Sequence, residues 1–363
     1  MADRYWVGGT GTWNASSTSV WSASSGGPSG ASVPTASDSV FFNQAGTNTV
    51  TLSGTLACLD FNVSAGTLTF AGSGGLSISG NLTISGVVPT WTVTAATTFN
   101  ATTAKTVTTN GMVFSASNVN FNGVGGSWTL QDALTLGSSG LSVILTAGTL
   151  DLNQKTLTAF GFSSSNTNVR TITMTNASVV LLTGSWAMGT STNATVNAAG
   201  STISMNHTSI KSFNVGGIAG GGLTFGTLNQ GGVGDLRISG SNTFANITNT
   251  VQPATVRLTA GTTQTVNAFT LSGTPGNLIT LDTSVAGTRA TLSDASGTVS
   301  VSNVSIKDIN ATGGATWNAF TSNGNVDGGN NLGWNFGAAP VVIKTIFRSI
   351  FRPVFREIFR PIF

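Results

Sequence analysis

Charge is what this sequence has least of. Only 7% of its 363 residues are Asp, Glu, Lys or Arg, against about 25% in an ordinary globular domain. Glu occurs once (Glu357), His once (His207) and Cys once (Cys58). Each scarcity excludes something. A lone cysteine makes no intrachain disulfide, so burial and hydrogen bonds must hold the fold. No run approaches the ~18 apolar residues of a membrane span. The opening Met1-Ala2-Asp3-Arg4-Tyr5-Trp6 shows neither the apolar stretch nor the cleavage signal of a secretory leader. The good helix formers Glu, Lys, Gln and Arg are nearly absent, while Thr, Val, Ile and Phe favour half-buried pleated surfaces. The hydrophobic fraction of 39% is too high, and the net charge of +3 too low, for a disordered chain. An all-β fold is predicted.

Candidate chemistry is equally sparse. Residues 1–337 contain ten Asp and no Glu, and no two of those Asp are closer than twelve positions, Asp282 and Asp294 being the nearest. Glycosidases need two carboxyl groups flanking one bond, so an enzyme is the least favoured class, although stacking could bring distant aspartates together. His207, in Ser204-Met205-Asn206-His207-Thr208, reads as a surface or turn residue. Asp327-Gly328-Gly329-Asn330-Asn331 faintly echoes a Ca²⁺ loop but lacks the further carboxylates of a tight site, and reads as a turn. No metal cluster, phosphate loop or nucleophile elbow is present. The expectation is no catalytic residue, no metal and no cofactor. The many Asn-x-Ser/Thr sequons follow from the composition alone.

What is present is repetition. From about Asn48 to Ile309, short alternating segments are punctuated by Gly, Asn or Ser-Gly. Examples are Gly66-Thr67-Leu68-Thr69-Phe70-Ala71-Gly72, Gly80-Asn81-Leu82-Thr83-Ile84-Ser85-Gly86 and Gly148-Thr149-Leu150-Asp151-Leu152-Asn153. Apolar residues at every second position mark strands with one buried face. Strands this short, ended by residues that accept positive φ, suit the corners of a parallel β-helix or β-solenoid. At roughly 20 to 25 residues per turn, about a dozen turns are expected. A β-sandwich or jelly roll is the alternative, but it draws longer strands and more varied turns. The open ends of a solenoid call for caps. Five of the eight Trp lie near the two ends, in the stretches from Trp6 to Trp21 and from Trp317 to Trp334. The predicted organisation is an N-terminal cap (1–47), a solenoid body (48–309), a C-terminal cap (310–337) and a distinct C-terminal arm (338–363).

Two stretches carry a resemblance. The opening Tyr5-Trp6-Val7-Gly8-Gly9-Thr10-Gly11-Thr12-Trp13-Asn14 is followed by Gly30-Ala31-Ser32-Val33-Pro34-Thr35-Ala36-Ser37-Asp38-Ser39-Val40-Phe41-Phe42. Together they resemble the start of repetitive parallel β-helical surface proteins, found among autotransporter-like adhesins and tailed-phage virion proteins. The stretch from Asn310 to Trp334 is similar to the close of such repeats. The resemblance covers most of residues 5 to 336, is low-complexity in character, and implies display on a surface with structural or adhesive roles. The missing leader and translocator barrel depart from the autotransporter pattern and turn the expectation toward a phage virion.

After Ala338-Ala339-Pro340 the pattern changes. Thr345-Ile346-Phe347-Arg348, Ser349-Ile350-Phe351-Arg352, Pro353-Val354-Phe355-Arg356, Glu357-Ile358-Phe359-Arg360 and Pro361-Ile362-Phe363 form a four-residue repeat. Residues 338–363 hold Lys344 and four Arg against one Glu, whereas residues 1–337 hold nine basic and ten acidic side chains. The positive charge therefore belongs to the array, and no basic face is left on the body for nucleic acid. On a helix the Phe stripe would drift by only about 40° per repeat. Pro353 and Pro361 oppose that helix, each at a cost of about 3 kcal/mol. As a strand, the array places both prolines on one edge and leaves the other free to pair. It reads as an extended arm adding to a neighbour's sheet, with Phe residues in spaced pockets. The expected partner-docking residues are Ile346, Phe347, Arg348, Ile350, Phe351, Arg352, Val354, Phe355, Arg356, Ile358, Phe359, Arg360 and Phe363. Folding back onto the body, membrane insertion and a barrel-sorting signal are the weaker alternatives.

These features lead to one expectation. The chain is a structural component of a tailed-phage virion, assembled in the host cytoplasm and displayed on the particle as a capsid decoration or cement protein. Its expected partners are virion proteins, either capsid or tail subunits. A tail fibre, spike or adhesin binding host glycans is the alternative. A homo-oligomer such as a trimer is compatible with the sequence.

Overall fold

The computed structural model describes residues 1–216 and 221–338. These form a parallel β-solenoid of about 13 turns, almost wholly β. Two long sheets, of 21 and 15 strands among the described residues, run the length of the stack, and a three-stranded sheet joins them near the C-terminal end. Register partners lie one turn apart in sequence. Val40 aligns with Phe61, Phe61 with Leu82, Leu82 with Val107, and Val107 with Leu130. All five are buried.

The alternation seen in the sequence is what fills the interior. Phe61–Val63 and Leu82–Ile84 bury their first and third residues and turn Asn62 and Thr83 outward. The second sheet carries a matching column, Val50, Phe70, Trp91, Phe114 and Leu136. Its rings contact at 5.2 Å (Phe70–Trp91) and 5.5 Å (Trp91–Phe114). Burying each such side chain is worth about 1.5–3 kcal/mol.

Corners need backbone that most residues resist, and Asn and Gly provide it. Asn110, Asn153 and Asn193 have φ of 49°, 47° and 58°. Their side-chain amides donate to carbonyls one turn back, on Val87, Leu130 and Thr167. Asn tolerates this left-handed region because its short polar side chain bonds locally. At Gly72 (φ 101°) any Cβ would run into the Leu52 carbonyl of the preceding turn.

The two ends differ. At the N-terminal end, Asp3–Trp6 pairs in parallel with Ser39–Phe42 and antiparallel with Trp21–Ser22. The antiparallel strand closes the sheet edge over Trp6, Trp13, Trp21 and Phe42, whose rings pack at 5.1–6.4 Å. At the other end Trp317 packs edge-on to Trp334 at 5.1 Å, with Phe269 beneath. The last described turn runs through Val326–Asp327 and Trp334–Asn335. No described helix is long and apolar enough to cross a membrane.

Candidate functional site

The partner-docking residues expected between Ile346 and Phe363 lie outside the described residues. The other positions singled out in the sequence are placed separately. Asp282 stands on the outward face of the first long sheet, in Ile279–Thr283, and Asp294 ends Ala290–Asp294 in the second. His207 is half-buried just before the exposed segment 208–210, and its Nδ1 accepts the Ser209 N–H at 3.2 Å. Asp327 Oδ1 accepts the Gly329 N–H and the Asn331 amide, closing its own turn. Cys58 is fully buried, and desolvation, with Asp60 nearby, pushes its thiol far up. Among the described residues no three His, Cys, Asp or Glu side chains group to hold a metal.

Among the described residues, two cations sit inside the stack. Arg170 is only 1% exposed, and its guanidinium meets no carboxylate. Nε and Nη2 donate to the Ser164 carbonyl at 3.1 and 2.7 Å, and Nε also to the Ser164 hydroxyl. Nη1 donates to the carbonyls of Asn168 and Thr192, and Nη2 to that of Thr190. Lys211, equally buried, donates through Nζ to the carbonyls of His207, Gly232 and Gly234 at 2.8–3.1 Å. Burial brings its ammonium down to about 8, an effect partly countered by Asp235. Burial likewise lowers Arg170. Both cations serve the same need. They satisfy carbonyls of irregular corner segments that have no strand partner, and an unpaired buried carbonyl is costly.

These positions were not singled out from the sequence, yet a signal exists. In Arg170–Thr173 the arginine shares inward parity with Ile172, and in Lys211–Val215 the lysine shares it with Phe213 and Val215. Gln264 does the same beside Val266, and its amide donates to the Gly240 carbonyl at 2.6 Å. A long polar residue at an inward step of an alternating segment marks such a post.

One outward face concentrates the charge that the body does have. Arg257 is clamped from both sides along the stack. Its Nε and Nη2 bond the Asp282 carboxylate at 2.8 and 2.9 Å, and its Nη1 bonds Asp235 at 2.7 Å. These contacts, led by the Asp282 hydrogen bonds, raise its pKa. Arg237 is the register partner of Arg257 one turn back. It reaches Asp235 only at 3.6 Å, and its side chain is 46% exposed. Ser212, Arg237, Ser239, Arg257, Thr259 and Ser284 line a shallow groove of about 310 Å³ at this place. Comparison with family models, with curated proteins and with solved structures finds no match to this chain.

Proposed function

We propose that this chain is a structural component of a tailed-phage virion, displayed on the particle surface as a decoration or cement protein and held by its Phe/Arg array. The observation that carries this reading is the stack itself. About 13 turns at the strand spacing of roughly 4.8 Å make a rod of roughly 60 Å. Its core is continuous from Trp6 to Ala319, so each turn is braced by those on either side. A rod of this kind transmits load and presents faces of Thr, Ser and Asn at a fixed distance from its base.

The buried cations support the same reading. Both are committed to backbone carbonyls, which is chemistry that stiffens corners. The array supplies the attachment, because five Phe at four-residue spacing would bury enough apolar surface to hold a subunit. Virion incorporation of a chain ending at Gly337 tests this. The truncated protein should melt as the full chain does and be lost from purified particles. Incorporation at the full-length level would refute the anchoring role.

A further inference from the structure

We propose that the groove around Arg237 binds an acidic polysaccharide, with a sugar carboxylate on the Arg237 guanidinium and sugar hydroxyls along the flanking Ser and Thr side chains. This goes beyond the display role and does not depend on how the rod is attached.

Charge is scarce on the body of this chain. Residues 1–337 carry nine cations, and two of them, Arg237 and Arg257, stand in register on adjacent turns of one outward face. Their situations are opposite. Arg257 is held between Asp235 and Asp282 with Nε, Nη1 and Nη2 all engaged. Asp235 Oδ2 faces both arginines, accepting from Arg257 Nη1 at 2.7 Å but standing 3.6 Å from Arg237 Nη2, outside hydrogen-bond range. Arg237 therefore presents a half-exposed planar fork suited to a carboxylate, beside a neighbour that is already neutralised.

The surroundings narrow the ligand class. The groove is lined by hydroxyl side chains, Ser212, Ser239, Thr259 and Ser284, together with the two arginines. The Thr259 hydroxyl donates to Ser239 Oγ at 3.2 Å, and the Ala260 N–H donates to Ser284 Oγ at 3.0 Å. Both serine hydroxyls thus keep their own protons to donate. No aromatic or large aliphatic side chain lines the groove, which disfavours an apolar ligand. Two aspartates beside two arginines leave the patch without net charge, so a ligand there is held by the one half-exposed guanidinium and the hydroxyls at close range rather than by a positive field. A polymer rich in hydroxyls, with one carboxylate per sugar, matches what remains. The lining residues come from successive turns, spaced at roughly 4.8 Å, so the groove is oriented along the rod axis.

Full-length protein titrated with polygalacturonate, with neutral dextran and dextran sulfate as companions, tests the proposal. Polygalacturonate should bind and dextran should not. Arg237→Gln should weaken polygalacturonate binding at least about tenfold, the scale of one charge-assisted contact, with an unchanged melting temperature. Ser239→Trp, which fills the groove and keeps the charge, should weaken it comparably. Three results would overturn the proposal. One is absence of polygalacturonate binding by the wild type. Another is binding that survives Arg237→Gln, which would assign it to other cations such as those of the array. The third is dextran sulfate binding that is tighter and equally sensitive to Arg237→Gln, which would make the site a sulfate site.

Discussion

The stretch from Val40 to Leu130 and the stretch from Ser164 to Gly234 are built on the same turn, yet they fill it differently. In the first, inward positions are uncharged and, apart from small hydroxyl residues such as Thr97, apolar, and aromatic rings pack from turn to turn through Phe42, Phe70, Trp91 and Phe114. In the second, aromatic packing persists through Phe162, Trp186, Phe213 and Phe225. Beside it, Arg170 and Lys211 stand at inward steps. The difference lies in the corners. Where a connection is short, Asn or Gly closes it and the backbone pairs with the next turn. Where a segment such as 164–168 or 207–210 departs from the ladder, its carbonyls face inward, and a long cationic side chain reaches them. Interior charge here completes the hydrogen bonding of the main chain, and burial of its alkyl stem lets the same residue belong to the core.

The largest effect is expected in the aromatic stretch. Trp91→Ala should remove contacts to Phe61, Phe70 and Phe114 at once. A loss of about 3–5 kcal/mol, the range for a large aromatic in a packed core, should appear in the urea midpoint. Arg170→Leu should cost less, about 2–3 kcal/mol. It strands carbonyls worth about 1–3 kcal/mol each when unpaired, but it also relieves the desolvation of a buried cation. A loss as large as that of Trp91→Ala would mean that the guanidinium, and not ring packing, dominates the middle of the rod.

The smallest effect is a slope. The folded protein holds the Lys211 proton less tightly than the unfolded chain does, with a pKa near 8 against an ordinary 10.5. Between those values the unfolded state binds more protons, so the contribution of this group to stability rises with pH across that window. Lys211→Met removes the titration. The stability of the wild type relative to the variant should therefore improve from pH 8 to pH 10, measured as the difference between their urea midpoints. Parallel profiles would show that the ammonium pays no desolvation cost.

Much of the architecture was legible because it is local. Leu82-Thr83-Ile84 reads as a one-face-buried strand, since side chains alternate with a period of two whatever the strand pairs with. Gly72 and Asn153 read as corners because few residues accept their φ. The spacing of such segments gave the turn length, and from it the parallel stack. The antiparallel closure by Trp21–Ser22 was not legible, since a two-residue strand leaves no periodic trace. The interior posts at Arg170 and Lys211 carry only a faint local mark, the inward parity they share with Ile172 and Phe213. The Arg237 groove could not be read at all. Its residues lie between positions 212 and 284 and meet only through register.

That the chain is all-β, that alternate residues are buried, and that corners fall at Gly and Asn all follow from steric preferences acting over a few residues. The concentration of positive charge in the C-terminal array is a property of the sequence alone. Which turns lie in register depends on contacts between residues far apart in the chain. That register places Arg257 between two aspartates 22 and 25 residues away, leaves Arg237 with only a long 3.6 Å ion pair to Asp235, and aims two cations at carbonyls inside the stack. Hydrogen bonds between turns set these pairings, and a one-residue slip would turn every such side chain to the opposite face.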